Sequence, residues 1–314
     1  MDRIFQAVTD GVAKYLYGWV LPSAIALGVL VFLIPDLENR FPSVKSSVAR
    51  LPDNNVQQIL LFGLATFGLS TLLALVISRP LTQLLEGYFG RSFIWRWLRA
   101  RQVRTYRRLR LIATRRDIPE TMSAEAEERL VNYPRREDEL LPTRLGNHLR
   151  AAELFGNDAY SLDILEFWNE IYSTTTPNCR TDVVDQRSAF DFYVSAIANS
   201  GVVIAVAITV AVSANSAKAY VVAGVAAAFI PLLYVGAVSQ AVAYGASLRS
   251  LASISRHALS RGLGYRLPDG IAEEREFWQM LSWGLYADPD RLADLDSYRV
   301  QPDVNGTAGP SPPT

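Results

Sequence analysis

The sequence predicts an all-α integral membrane protein with four transmembrane helices, arranged as two hairpins with a helical cytoplasmic insert between them. Three observations lead there. Four stretches carry no charged residue: Tyr15 to Pro35, Asn54 to Ser78, Phe192 to Ala217 and Ala219 to Leu248. Each has the roughly 20 residues that a helix needs to cross about 30 Å of hydrocarbon. Half the chain is apolar although it holds 31 basic and 31 acidic residues, so the apolar residues are concentrated in these runs. Finally, the arginines gather on alternate sides of the runs. Backbone groups cannot stay unpaired in lipid, so each run must close its hydrogen bonds as a helix.

The organisation follows in order: a first hairpin over 1–80, an insert over 81–190 that opens with a basic juxtamembrane helix, and a second hairpin over 191–248. C-terminal helices over 249–300 and a disordered tail over 301–314 complete it. The first run is full length and has no small-residue cleavage site before Asp36, so it reads as a retained helix and not a signal peptide. Cys179 is the only cysteine, which excludes a disulfide within the chain.

Flanking charge sets the orientation. Between the first two runs Arg40, Lys45 and Arg50 are balanced by Asp36, Glu38 and Asp53, and between the last two there is only Lys218. From Arg79 to Arg116, by contrast, eleven arginines face the single acid Glu86. Arg249, Arg256, Arg261 and Arg266 follow the fourth run. The positive-inside rule therefore predicts a multi-pass protein of the cell (plasma) membrane with both termini and the insert cytoplasmic.

The stretch FIWRWLRARQVRTYRRLR, residues 93–110, has seven arginines, two tryptophans and no acid. Lying just past the second run, it predicts contact with anionic headgroups through Trp95, Arg96, Trp97, Arg99, Arg101 and Arg104. Before it, Leu81, Leu84, Leu85, Tyr88 and Phe89 fall at helical spacing, as if the chain left the bilayer along its surface. Trp95, Leu98, Tyr106 and Leu109 mark an apolar stripe on the basic helix itself. Arginine interleaved with aromatics also suits nucleic acid, but membrane proximity accounts for the same residues without that partner. A third reading remains open, in which the acidic segment Asp117 to Glu139 folds back on the arginines.

Farther along, Thr143 suits a helix N-cap, with Leu145, Leu149 and Ala152 toward a core. Gly156, Asn157 and Asp158 then suggest a turn. Ser161 would cap a second helix with Leu162, Leu165, Trp168, Ile171 and Tyr172 on its apolar face, and Thr181 and Asp182 would start the helix that enters the third run. IAEEREFWQMLSWGLY reads as an amphipathic helix with Phe277, Met280, Leu281 and Leu285 inward. Pro142 to Glu153, PTRLGNHLRAAE, followed by Tyr160, Leu162, Asp163 and Trp168, resembles a motif of uncharacterised bacterial membrane proteins, mainly actinobacterial. The resemblance implies a multi-pass architecture and no particular chemistry.

Arg144, Asn147, His148, Arg150 and Glu153 form a candidate polar site, set against a plain alternative of capping and i to i+4 pairing. No catalytic residue, metal ligand set or cofactor motif stands out: GxxxxGK[ST], GxGxxG and HExxH are all missing from the sequence. A Cys179–His148 pair has nothing that brings its members together. Asn199, Ser195, Ser200, Thr209, Ser239 and Gln240 are the polar candidates for a pore, while Gly201 and Ala205, Gly224 and Ala228, and Ala237, Ala241 and Gly245 suggest packing or homo-oligomer faces. Three functional classes stay open: a noncatalytic membrane-anchored sensor or scaffold, an oligomeric channel or transporter lined by the third and fourth helices, and a membrane-surface enzyme.

Overall fold

The computed structural model describes residues 12–33, 46, 55–88 and 92–300. The balanced loop from Asp36 to Asp53, apart from Ser46, lies outside these residues, as do Phe89 and the tail from 301. Nine α-helices are named here, and no strand occurs among the described residues; a lone antiparallel bridge joins Tyr265 and Arg299. Four of the nine are long and apolar enough to cross a membrane: α1 (Val12–Val31), α2 (Gln57–Glu86), α7 (Pro177–Ala214) and α8 (Ala217–Gly262). The others are α3 (Phe93–Thr114), α4 (Glu120–Leu130), α5 (Arg144–Tyr160), α6 (Trp168–Thr174) and α9 (Ile271–Tyr286).

The chain divides into two compact units, one of residues 1–151 and 181–247, the other of 152–180 and 248–314. In the first, α1 packs on α2 and α7. The Tyr15 hydroxyl lies 2.9 Å from that of Thr71, with its ring edge-on to Phe67. Gly18 lets α1 approach α7 closely: a Cβ there would sit 3.3 Å from the Ser188 carbonyl oxygen. Lys14 and Asp185 pair at 2.8 Å beside this contact. Both α1 and α2 widen to π-helical turns, at Leu16–Val20 and Leu73–Ile77.

Small residues join α7 to α8 at both ends of their contact. Ala207, Ala211, Ala219 and Ala223 are buried with Leu33, and Ala237 and Ala241 with Phe190 and Val194. The predicted ladders therefore divide. Ala237, Ala241 and Gly245 are buried within the chain, whereas Gly201, Ala205, Gly224 and Ala228 are exposed. The Tyr193 ring lies against Gly236, where a Cβ would collide with it.

Helix α2 runs unbroken to Glu86 and stops because Gly87 adopts φ +97°, with the Tyr88 amide bonding back to Gln83. Tyr88 is thus past the helix end, and of the residues read at helical spacing Leu81, Leu84 and Leu85 lie within the helix. The stripe on α3 appears as read: Trp95, Leu98 and Leu109 are half-buried and Tyr106 buried, joined by Gln102. It packs on α4 and the segment after it. The Tyr106 hydroxyl donates to the Arg135 carbonyl at 2.7 Å, and that of Tyr133 to Gln102 at 3.1 Å.

In the second unit, α5 does not turn at Gly156. It continues to Tyr160 and ends where Ser161 takes φ +60°, because Gly156 packs against Leu162 and Ile164 where any side chain would collide. Asp163 then caps the following turn through the amides of Leu165 and Glu166. Leu162, Ile164, Phe167 and Ile171 are buried and Leu165 is exposed, since the chain makes a turn there and α6 begins only at Trp168. Likewise α7 begins at Pro177, ahead of Thr181. Phe277, Trp278 and Leu281 of α9 are fully buried against Phe167, Tyr265 and Tyr298, whereas Leu285 is exposed. Buried Glu274 accepts from Arg256 at 2.5 Å and from the Trp278 indole at 3.2 Å. A charge this deep is tolerated because both partners are in place.

Candidate functional site

The residues from Pro142 to His148 first build a joint. Thr143 caps α5 by accepting from the Gly146 amide at 2.9 Å, and its hydroxyl donates to the Glu86 carbonyl, also at 2.9 Å. One side chain thus serves the start of α5 and the end of α2. Gly146 touches the Glu86 carbonyl so closely that a Cβ would overlap it, and a Cβ on Gly87 would stand 2.9 Å from Pro142. Asn147 is fully buried. It accepts from the Leu141 amide at 2.7 Å and donates to the carbonyls of Leu141 at 3.0 Å and Thr143 at 2.8 Å, so its amide holds the loop entering the helix.

Beside this joint opens a cleft of about 1200 Å³. One wall is apolar: Leu84 and Leu85 of α2, Leu98 and Leu109 of α3, and Tyr234, Val235, Val238 and Val242 of α8. The lining also includes Arg101, Arg129, Arg144 and His148, together with Trp95, Gln102 and Asn132. Among the described residues no acidic side chain lines it. Arg129 is paired along its own helix with Glu125 at 2.7 Å. His148 Nδ1 lies 2.9 Å from the Asn132 carbonyl, which can only accept, so that nitrogen carries a proton. Burial pushes the Tyr133 phenol above its ordinary pKa, while Arg144 and Arg129 pull it the other way.

The candidate polar residues thus separate. Arg144 and His148 reach the cleft; Asn147 is part of the joint; Arg150 and Glu153 do not line the cleft. Of the predicted lipid-facing set, Trp95 and Arg101 line the cleft, Trp97 is half exposed, and Arg96 and Arg104 are exposed. Arg99 is turned to the segment after α4, donating to the carbonyls of Leu140 and Asp138, both at 2.9 Å. Arg107 pairs through Nε and Nη2, one edge of its guanidinium, with both carboxylate oxygens of Glu137, whose carboxyl that bond holds below its usual range. The acidic segment therefore does fold back on the basic helix, at some arginines and not others. Arg129 and Asn132 on one segment and the α8 residues on another are not legible in the sequence, because both lie far along the chain from the basic helix or the motif they join.

Within the apolar helices, Asn199 is buried and donates to Ser23 of α1 at 3.3 Å and to the Ser195 carbonyl at 2.9 Å. The hydroxyls of Ser200 and Thr209 return to their own helix. Among the described residues no group of three His, Cys, Asp or Glu side chains is placed to hold a metal ion. No known protein family, characterised protein or solved structure matches the chain.

Proposed function

We propose that this is a noncatalytic, membrane-anchored sensor or scaffold, inserted in the plasma membrane by two helical hairpins, with both termini and the insert cytoplasmic. Four long apolar helices and the one-sided arginines support the membrane reading. The observation that carries the noncatalytic part is the joint. Thr143 and Gly146 hold α5 to the end of α2, and Asn147 holds the loop that enters α5, so the polar and small core of the most distinctive motif is engaged with backbone. A reactive site would need such groups turned to a cavity and not to the backbone.

Topology is tested with cysteines introduced at Ser46 and Ala217. In intact cells both should react with a membrane-impermeant maleimide, and native Cys179 should react only after permeabilisation. Labelling of Cys179 from outside would sink the orientation.

A further inference from the structure

We propose that the cleft between α3 and α8 binds the phosphate headgroup of a single anionic lipid, with Arg101 and Arg144 on the headgroup and an acyl chain along Val235, Val238 and Val242. The inference rests on the membrane reading above and adds a discrete, stoichiometric site to it.

Charge and shape carry the argument together. Neither Arg101 nor Arg144 is in an ion pair among the described residues, and both border a cavity without an acidic side chain. Other exposed arginines of the same helix border no such apolar wall. At about 1200 Å³ the cleft exceeds the roughly 300–1,000 Å³ of a pocket for a small soluble ligand. A free phosphate would satisfy the arginines and leave the valine wall wet; a lipid tail alone would leave two guanidiniums without a counter-charge. An amphiphile with an anionic head satisfies both. Trp95, half-buried at the cleft, suits the boundary where head meets tail. The two arginines come from α3 and from the first residue of α5, so a bound phosphate would bridge the basic helix to the joint.

The test uses the full chain purified in a neutral detergent, with bound lipid read by native mass spectrometry against phosphatidylglycerol and phosphatidylcholine. The wild type should hold one phosphatidylglycerol per chain in clear preference to phosphatidylcholine. Arg101→Gln with Arg144→Gln should weaken it about thirtyfold, from roughly 1 kcal/mol for each arginine. Arg108→Gln with Arg110→Gln removes equal charge away from the cleft and should leave binding within about twofold. Equal losses in both glutamine pairs would show diffuse attraction along the helix; that overturns the discrete site and leaves the membrane reading standing. Displacement of the lipid by inorganic phosphate at similar concentration would assign the site to a soluble anion and overturn the proposal. So would failure to retain any phosphatidylglycerol. Failure of the membrane reading itself would appear separately, in the maleimide labelling.

Discussion

Gly146 lies against the backbone carbonyl of Glu86, so that the first turn of α5 and the last of α2 meet with no side chain between them. A backbone oxygen that already accepts from Thr143 cannot move aside cheaply. Gly146→Ala should therefore lower stability by about 1–3 kcal/mol, the usual cost of overpacking. Gly201→Ala is the control. Among the described residues nothing lies within 4 Å of a Cβ at Gly201, so there the helix-propensity gain of roughly 0.5–1 kcal/mol should appear instead. Thermal unfolding of both variants in detergent measures the contrast.

Removing the Asn147 side chain should be costlier than its size suggests. Asn147→Ala leaves the Leu141 amide and carbonyl without their side-chain partner in a buried place, while the Thr143 carbonyl keeps the Asn147 backbone amide. Each unsatisfied group costs about 1–3 kcal/mol, so the variant should lose most of its folded yield. Yield and melting temperature should fall together. A variant folded as well as wild type yet without function in cells would make Asn147 a functional residue and reverse the reading of the joint.

Acid should loosen α3 from the segment that follows α4. The Glu137 carboxyl is held below its ordinary pKa chiefly by the hydrogen bond from Arg107. A depressed carboxylate contributes its stability above the unfolded pKa of about 4.3, and loses it as pH falls through the lower folded value. The stability difference between wild type and Glu137→Gln should thus be constant from pH 7 to about 5 and shrink below that. Because the pair is exposed, its size should be modest and should fall further with salt.

Asn199 gives the prediction that separates packing from conduction. Asn199→Leu removes the bonds to Ser23 and Ser195 and should cost about 0.6 kcal/mol, rarely more than about 1.7. Stability should change and the ion permeability of reconstituted vesicles should not. A change in ion flux at unchanged stability would favour a channel.

What the sequence reveals depends on how local the cause is. The long apolar runs and the stripe of Trp95, Leu98, Tyr106 and Leu109 are legible because period and length act within one helix. Gly156 to Asp158 was misread because glycine, asparagine and aspartate favour turns; packing against Leu162 and Ile164 keeps the helix going. The apolar spacing of α9 points Leu285 inward, whereas Trp278 is buried in its place, since a broad apolar face leaves several possible rotations and only the partner chooses one. For the joint, the cap at Thr143 could be read, but its second bond to Glu86 could not. The cleft was the least legible, because hydrophobic period says nothing about which helices stand side by side.

The hydrogen bond from Thr143 to Glu86 spans 57 positions of chain. It fastens both ends of everything between α2 and α5, like a clasp on a purse. Lengthening a closed loop is thermodynamically mild, with each doubling costing only about 0.6 kcal/mol. Material added at an exposed turn such as that around Asp117 would change what the enclosed segment carries without disturbing the helices at its mouth. A lineage could thus exchange the contents of this segment while keeping the same anchor.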